Sequence, residues 1–180
     1  MIKTGQQHLD SLKDGRTIYI GDERVEDVTT HPAFARAAKT VARLYDIKYD
    51  PDYQDMLTFE ENGERYSAWF LQAQSREDLR KRMKAHKIVA DQTCGMMGRS
   101  MDHVSSFVTG MAINPSVFNT DEYQLGDNLV AYYDYMKRND IFASYAVLPP
   151  QAARNPEFYQ KKNLPIPTLM VVDQDDAGIT

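Results

Sequence analysis

Between Ser75 and Asp140 the apolar residues return every three or four positions, and that period limits most strongly what the chain can fold into. Leu79, Met83, His86, Ala90, Thr93 and Met97 form one such series. Val104, Phe107, Val108 and Met111 form a second; Leu129, Tyr132 or Tyr133, and Met136 form a third. A half-buried strand would repeat every second residue, so these segments predict amphipathic helices with the stepped side chains turned inward. Ser75 with Asp78 makes a capping box, with a shorter acid than usual, at the start of the first. Gly95 and Gly98 mark a break after it, and Thr120 or Asp121 starts the last helix.

The flanks add short elements. Thr4 with Gln7 caps a helix that Gly15 is expected to end. "RTIYIGDERV" alternates, with Ile18 and Ile20 on one side, and turns at Gly21-Asp22 as a hairpin. "TTHPAFARAAKTVARLYDI" predicts a helix with Pro32 near its start, where a missing N–H is harmless. Phe34, Ala38, Val41, Leu44 and Tyr45 are its inward positions. "MLTFEENGERYSAWFL" predicts a second hairpin, turning at Asn62-Gly63 in a type I′ turn. After Asp140, "IFASYAVLPPQ" is β-branched and aromatic and stopped by two prolines, as at a strand end. "PTLMVVDQDDAGIT" reads as a strand, an acidic turn through Gly178, and the opening of a partner strand at Ile179-Thr180. A hairpin that stops there leaves unpaired backbone, so the natural protein is expected to continue past Thr180.

Composition excludes several function classes. Hydrophobic residues make up 42% of the 180 residues, with eleven Tyr, seven Phe and one Trp, enough for a packed core. The net charge of −5 and the lack of a long basic run argue against nucleic-acid binding. The densest basic cluster, Arg80-Lys81-Arg82-Met83-Lys84, reads as a solvated helix face. No run approaches 18 apolar residues and the N-terminus is no signal peptide, so a cytoplasmic chain that spans no membrane is expected. Cys94 is the only cysteine; among Met and Gly it reads as a buried, inert thiol. His8, His31, His86 and His103 are scattered without ligand spacing, so no metal site is predicted. There is no Gly-x-Ser-x-Gly and no phosphate loop.

The stretch "GRSMDHVSSF" stands out. Arg99 and His103 lie four residues apart and share a helix face if the helix has begun by Arg99. A guanidinium is costly to bury without an anionic or strongly polar partner. Asp102 supplies one such partner as a structural ion pair, and a ligand supplies another; spacing leaves both readings open.

"TGQQHLDSLKDGRTIYIGDERVEDVTTHPAF", "ARLYDIKYDP", "GRSMDHVSSF", "YYDYMKRNDIFASYAVLPPQ" and "NPEFYQKKNLPIPTLMVVDQDDAGIT" together resemble, in order, the oxygenase component of two-component, flavin-dependent 4-hydroxyphenylacetate 3-monooxygenases. The resemblance implies a mostly α, acyl-CoA-dehydrogenase-like fold. Residues 1–141 would be its N-terminal helical domain with small hairpins, and 142–180 the first strands of a truncated middle β-barrel domain. It also implies a homotetramer of longer chains, each using FAD as FADH2 delivered by a separate NADH-dependent reductase. Oxygen would add to the flavin C4a position, and the hydroperoxide would hydroxylate a phenol ortho to its hydroxyl. The implied substrate-binding residues are Arg99, Ser100, His103 and Tyr145, with Arg99, His103 and Tyr145 catalytic. The implied flavin contacts are Tyr145, Ala146, Val147, Gln151 and Arg154. Two positions depart from the family pattern: His103 stands where hydroxyphenylacetate enzymes usually carry tyrosine, and Tyr145 where they carry histidine. The "DH" reading at His103 is closer to the chlorophenol and nitrophenol branch. Residues 1–180 alone are expected to be inactive. Two alternatives are a non-catalytic remnant or interaction domain, and a relative of FAD-dependent 4-hydroxybutyryl-CoA dehydratases. The dehydratases need two cysteines in the helix that here holds only Cys94.

Overall fold

A computed structural model describes residues 1–97, 101, 103–145, 154–166, 174–175 and 178–179. The chain divides into one unit of Met1–Ser144 and another of Tyr145–Thr180. In the first, Thr4 and Gln7 satisfy each other's backbone N–H groups and open α1 (Gly5–Ser11). The helix stops before Gly15, because the Leu12 N–H folds back onto the Leu9 and Asp10 carbonyls. Gly5 is required for packing: a Cβ there would meet the Ala42 carbonyl oxygen at 2.5 Å. That close approach seats α1 on α2 (Ala35–Asp46), and the Gly5 N–H donates to Asp46 Oδ1 at 2.6 Å. The hairpin β1 (Ile18–Ile20) and β2 (Glu23–Val25) lies between them, pairing Ile18 with Val25.

Pro32 precedes α2 rather than entering its first turn. Asp27 organises the turn before it, accepting the Thr29 N–H at 2.7 Å through its carboxylate and the His31 N–H at 2.9 Å through its carbonyl. Ala38, Val41, Leu44 and Tyr45 are buried as expected, and Ala42 joins them. A helix unforeseen in the sequence follows: α3 (Pro51–Leu57), capped by Asp50 with Pro51 in its first turn. Met56 and Leu57 therefore close a helix instead of opening a strand. The second hairpin is shorter than expected, β3 (Thr58–Glu61) with β4 (Glu64–Ser67). Asn62 and Gly63 take φ of 54° and 79°, as a type I′ turn requires. Ala68–Phe70 then form a 3₁₀ turn, which buries Trp69 and Phe70.

The capping box at Ser75 opens α4 (Arg76–Gln92), but its buried face is rotated from the expected one. Ala85 and Val89 face inward, whereas Leu79 and Met83 are 55% and 70% exposed. Ala85 packs with Leu57 and Ala68, so the small side chain permits the close approach and sets the helix rotation. Arg82 also departs from the solvated-face reading: its guanidinium donates to the Leu71 carbonyl at 3.1 Å and to Ser106 Oγ. Thr93 caps the helix; Cys94 follows with φ of 52° and is exposed, not buried, because this left-handed turn faces it outward.

The same rotation recurs in α5 (His103–Ile113), where Val108 and Ala112 are inside with Ser105 and Thr109. Phe107 and Met111 are 50% and 41% exposed instead of buried. The buried hydroxyls are satisfied: Thr109 Oγ1 donates to the carbonyls of Ser105 at 2.6 Å and Trp69 at 3.2 Å. Helix α6 (Leu125–Arg138) starts later than expected, since Thr120 and Tyr123 pair across a turn before it. Tyr133, not Tyr132, faces inward with Met136, and its hydroxyl donates to the Phe70 carbonyl at 2.7 Å. Burial pushes the titration of Tyr133 and Tyr45 upward, so both remain phenols.

The centre of this unit is ionic. Lys48 and Asp140 are 0% and 1% exposed and form an ion pair. Ser67 bridges them, accepting from Lys48 Nζ at 3.0 Å and donating to Asp140 Oδ1 at 2.6 Å. The Lys3 N–H donates to Asp140 Oδ2 at 3.0 Å, and Tyr45 OH donates to the Asp140 carbonyl at 2.8 Å. Lys48 Nζ also sits 4.0 Å from the Tyr45 ring centroid. Burial lowers the Lys48 titration point, and the Asp140 carboxylate opposes that shift. Behind Tyr45, His8 stacks at 4.7 Å, its titration point lowered by burial from 6.5 to about 4.

Ile141–Tyr145 do not form the expected strand. Asp140 turns the chain with φ of 44°, the Ile141 N–H closes onto the Met136 carbonyl at 3.1 Å, and Ile141, Phe142 and Ala143 fold against the core. The rest of that predicted strand lies outside the described residues. In the second unit, Asn155 caps α7 (Pro156–Lys161), and β5 (Gln174–Asp175) pairs antiparallel with β6 (Gly178–Ile179). Pro167–Asp173, expected as a strand, lie outside the described residues. No described helix is long and apolar enough to cross a membrane.

Two outcomes follow from the ionic centre. Asp140→Asn keeps the turn, which asparagine tolerates, but strands a buried ammonium, and should cost about 3–5 kcal/mol. Combining it with Lys48→Met should recover part of that loss, as read by urea unfolding of the two single variants and the double variant. The His8 shift gives an acid dependence: between pH 6.5 and about 4 the unfolded chain binds a proton that the native chain refuses. Stability should therefore fall on acidification through that window, and His8→Phe should reduce the slope.

Candidate functional site

Helix α5 begins with His103, half-buried, its ring set edge-on to Phe107 at 4.9 Å and 69°. Residues three, four, seven and eight positions on from His103 share its face, which brings Ser106, Phe107, Gly110 and Met111 into one row. Ser106, Phe107, Gly110 and Met111 of this row, with Asn114 and the turn containing Val117 and Phe118, line an open, largely apolar groove of about 390 Å³. Arg82 reaches the row from α4 through its bond to Ser106. His103 lies on the same helix one turn before this groove, and an apolar groove suits a flat aromatic ring.

Gly110 keeps the trough open, since a Cβ built on it meets nothing within 4 Å. Arg82, Ser106 and the exposed ring of Phe107 were missed by the sequence reading. The i, i+4 spacing of His103 and Phe107 was a usable signal. Nothing local marked Arg82, whose partners lie 11 and 24 residues away.

The other expected residues are placed as follows. Tyr145 opens the second unit and is 58% exposed; Arg154, in the same unit, is also exposed. They present a phenol and a guanidinium, donor types that suit the carbonyl and phosphate oxygens of a flavin nucleotide. Arg99, Ser100, Ala146, Val147 and Gln151 lie outside the described residues, as does Asp102.

Residues 4–180 match the family model for the N-terminal part of 4-hydroxyphenylacetate 3-hydroxylase. The chain belongs to this family. The 4-hydroxyphenylacetate 3-monooxygenase oxygenase component of Thermus thermophilus is 36% identical over 182 residues, covering 99% of this chain and 36% of the relative. The 2,4,6-trichlorophenol monooxygenase of Cupriavidus pinatubonensis is 31% identical, covering 99% of this chain and 35% of its own length. The chain thus spans about a third of the length of these relatives. A crystal structure of an oxygenase component complexed with FAD and 4-hydroxyphenylacetate superposes with a TM-score of 0.83 at 36% identity, over 98% of this chain and 36% of that one. An archaeal 4-hydroxybutyryl-CoA dehydratase from N. maritimus shares the fold at 17% identity, with a TM-score of 0.73 over 99% of this chain and 36% of that one. The hydroxylase-family chain therefore has the expected mostly helical, acyl-CoA-dehydrogenase-like N-terminal architecture.

Gly110→Ala should fill only empty space in the trough and remove backbone freedom from the unfolded chain. Its thermal midpoint should rise by about 1–4 °C, measured by circular dichroism, corresponding to about 0.4–1 kcal/mol.

Proposed function

We propose that this chain is the N-terminal part of the oxygenase component of a two-component phenol monooxygenase. The reaction adds one oxygen atom of O2 to a phenolic ring ortho to its hydroxyl and releases the other as water. FADH2 from a separate NADH-dependent reductase supplies the two electrons and, with O2, the electrophilic oxygen. The unbroken family match over residues 4–180 carries this reading.

Within that reaction, the Arg99 guanidinium sits against the phenol oxygen and stabilises the negative charge that grows there as the ring is attacked. That charge makes the ortho carbon more nucleophilic. His103, four residues on in the sequence, accepts the phenol proton or donates to the resulting oxygen, the two roles open to an imidazole. Ser100 adds a hydroxyl to the pocket. Tyr145 adds a phenol hydroxyl, a hydrogen-bond donor that carries no positive charge. The open apolar trough on the same helix as His103 offers a surface for the ring. Tyr145, Ala146, Val147, Gln151 and Arg154 hold the flavin. Residues 142–180 open the middle β-domain of a longer, tetrameric cytoplasmic enzyme, and residues 1–180 alone are inactive. His103, matching the chlorophenol and nitrophenol pattern, directs the substrate range toward phenols with an electron-withdrawing para substituent.

The test reads the coding region past Thr180 and assays the complete product with a flavin reductase, NADH and a panel of para-substituted phenols. Catechol formation is expected, measured by chromatography. Arg99→Ala should lower kcat/KM by about 100-fold or more while leaving flavin affinity within about threefold. Oxygen consumption without catechol from every phenol, or a reading frame that closes at Thr180, overturns the proposal.

A further inference from the structure

The N-terminal unit holds a pocket of about 500 Å³ beside α1 and the end of α6, lined in part by Lys3, His8, Leu12, Ile141 and Phe142. His8 is only 5% exposed, yet its ring nitrogens have no hydrogen-bond partner among the described residues. Its faces are occupied instead, one stacked on Tyr45 at 4.7 Å and one edge near Phe142 at 6.2 Å. A buried polar group left unpaired costs about 1–3 kcal/mol, so such groups almost always meet protein, water or ligand.

Lys3 faces the same pocket with a similar deficit. Its ammonium is half-buried, and no carboxylate lies within ion-pairing distance of it among the described residues. The nearby Asp140 carboxylate is committed to Lys48, Ser67 and the Lys3 backbone N–H. The pocket lining thus combines a half-buried cation and an unpaired imidazole with the apolar side chains of Leu12, Ile141 and Phe142. Arg16 and Asp14 also line the pocket, but they are ion-paired with each other and add no net charge. The volume is more than an inorganic ion fills and falls in the range of small-molecule sites.

We propose that this pocket binds a small organic anion, a carboxylate or phosphate head on an apolar body, with the head on Lys3 and His8 and the body against Leu12, Ile141 and Phe142. The site is additional to the hydroxylation residues and rests on none of them. At neutral pH the imidazole is uncharged and donates one N–H, while Lys3 supplies the charge.

The 180-residue chain is titrated at pH 7 with benzoate, benzyl alcohol and inorganic phosphate, following the His8 ring by NMR. Benzoate should bind saturably and move the His8 signals, with benzyl alcohol at least tenfold weaker. Phosphate moving the same signals more tightly than benzoate assigns the head to phosphate; the reverse assigns it to carboxylate. Lys3→Met and Lys3→Gln should each weaken the bound anion tenfold or more, with unchanged thermal midpoints showing that the chain still folds. His8→Phe, which preserves the stack, should weaken it by at least threefold. Absence of a saturable His8 response to both anions up to about 50 mM, far above a millimolar Kd, overturns the proposal and leaves a water-filled pocket. Affinity unchanged in both Lys3 variants overturns it as well.

Discussion

Lys48 and Asp140 stand 92 residues apart in the chain and meet where no water reaches either. Desolvating two charges is expensive, and their attraction compensates only when the remaining donors and acceptors are also satisfied. The N-terminal unit is arranged around that requirement. Ser67 at the end of β4 takes one ammonium proton and gives its own to Asp140. Tyr45 on α2 places its ring beside the ammonium and its hydroxyl on the Asp140 carbonyl. The chain entering α1 gives the Lys3 N–H. Five segments therefore take their positions from one ion pair, and the apolar core of Leu44, Phe70, Val108 and Met136 packs around them. A well-packed hydrophobic pair of similar volume can match such a bridge in energy, but it would not fix direction in the same way. The bridge specifies which residues must meet.

The helical period of the sequence located α4, α5 and α6, and the caps at Thr4 and Ser75 located two starts accurately. The period failed to select the buried face. In α4 and α5 the largest apolar side chains, Met83 and Phe107, point outward, while Ala85, Ser105 and Thr109 are buried. Hydrophobicity ranks side chains by transfer energy, whereas close helix packing selects small ones, and the two criteria diverge here. Helix α3 escaped notice because Met56 and Leu57 adjoin a strong hairpin turn and read equally well as strand. The ion pair escaped for a different reason: nothing local distinguishes Lys48 or Asp140 from their exposed neighbours.

The candidate site was legible only in part. His103 and its row on α5 follow from spacing, and the groove beside Phe107 adds the wall that an aromatic ring needs. Arg82 joins the row through contacts across 11 and 24 residues, which no local pattern reveals. His8 carried no signal in the sequence beyond being a histidine; its burial and missing partners exist only in the folded unit.

The first residues of the chain are held by the last residues of the same unit. The Met1 ammonium donates to the Arg138 carbonyl at 2.8 Å, beside the bond from Lys3 to Asp140. Synthesis delivers these groups in the least convenient order. At about 5–20 residues per second, the N-terminus waits several seconds for its partners to emerge from the ribosome. Until then Lys48 has no counter-charge and cannot be buried cheaply. The ion pair therefore closes only after residue 140 has been made, late in the synthesis of this unit.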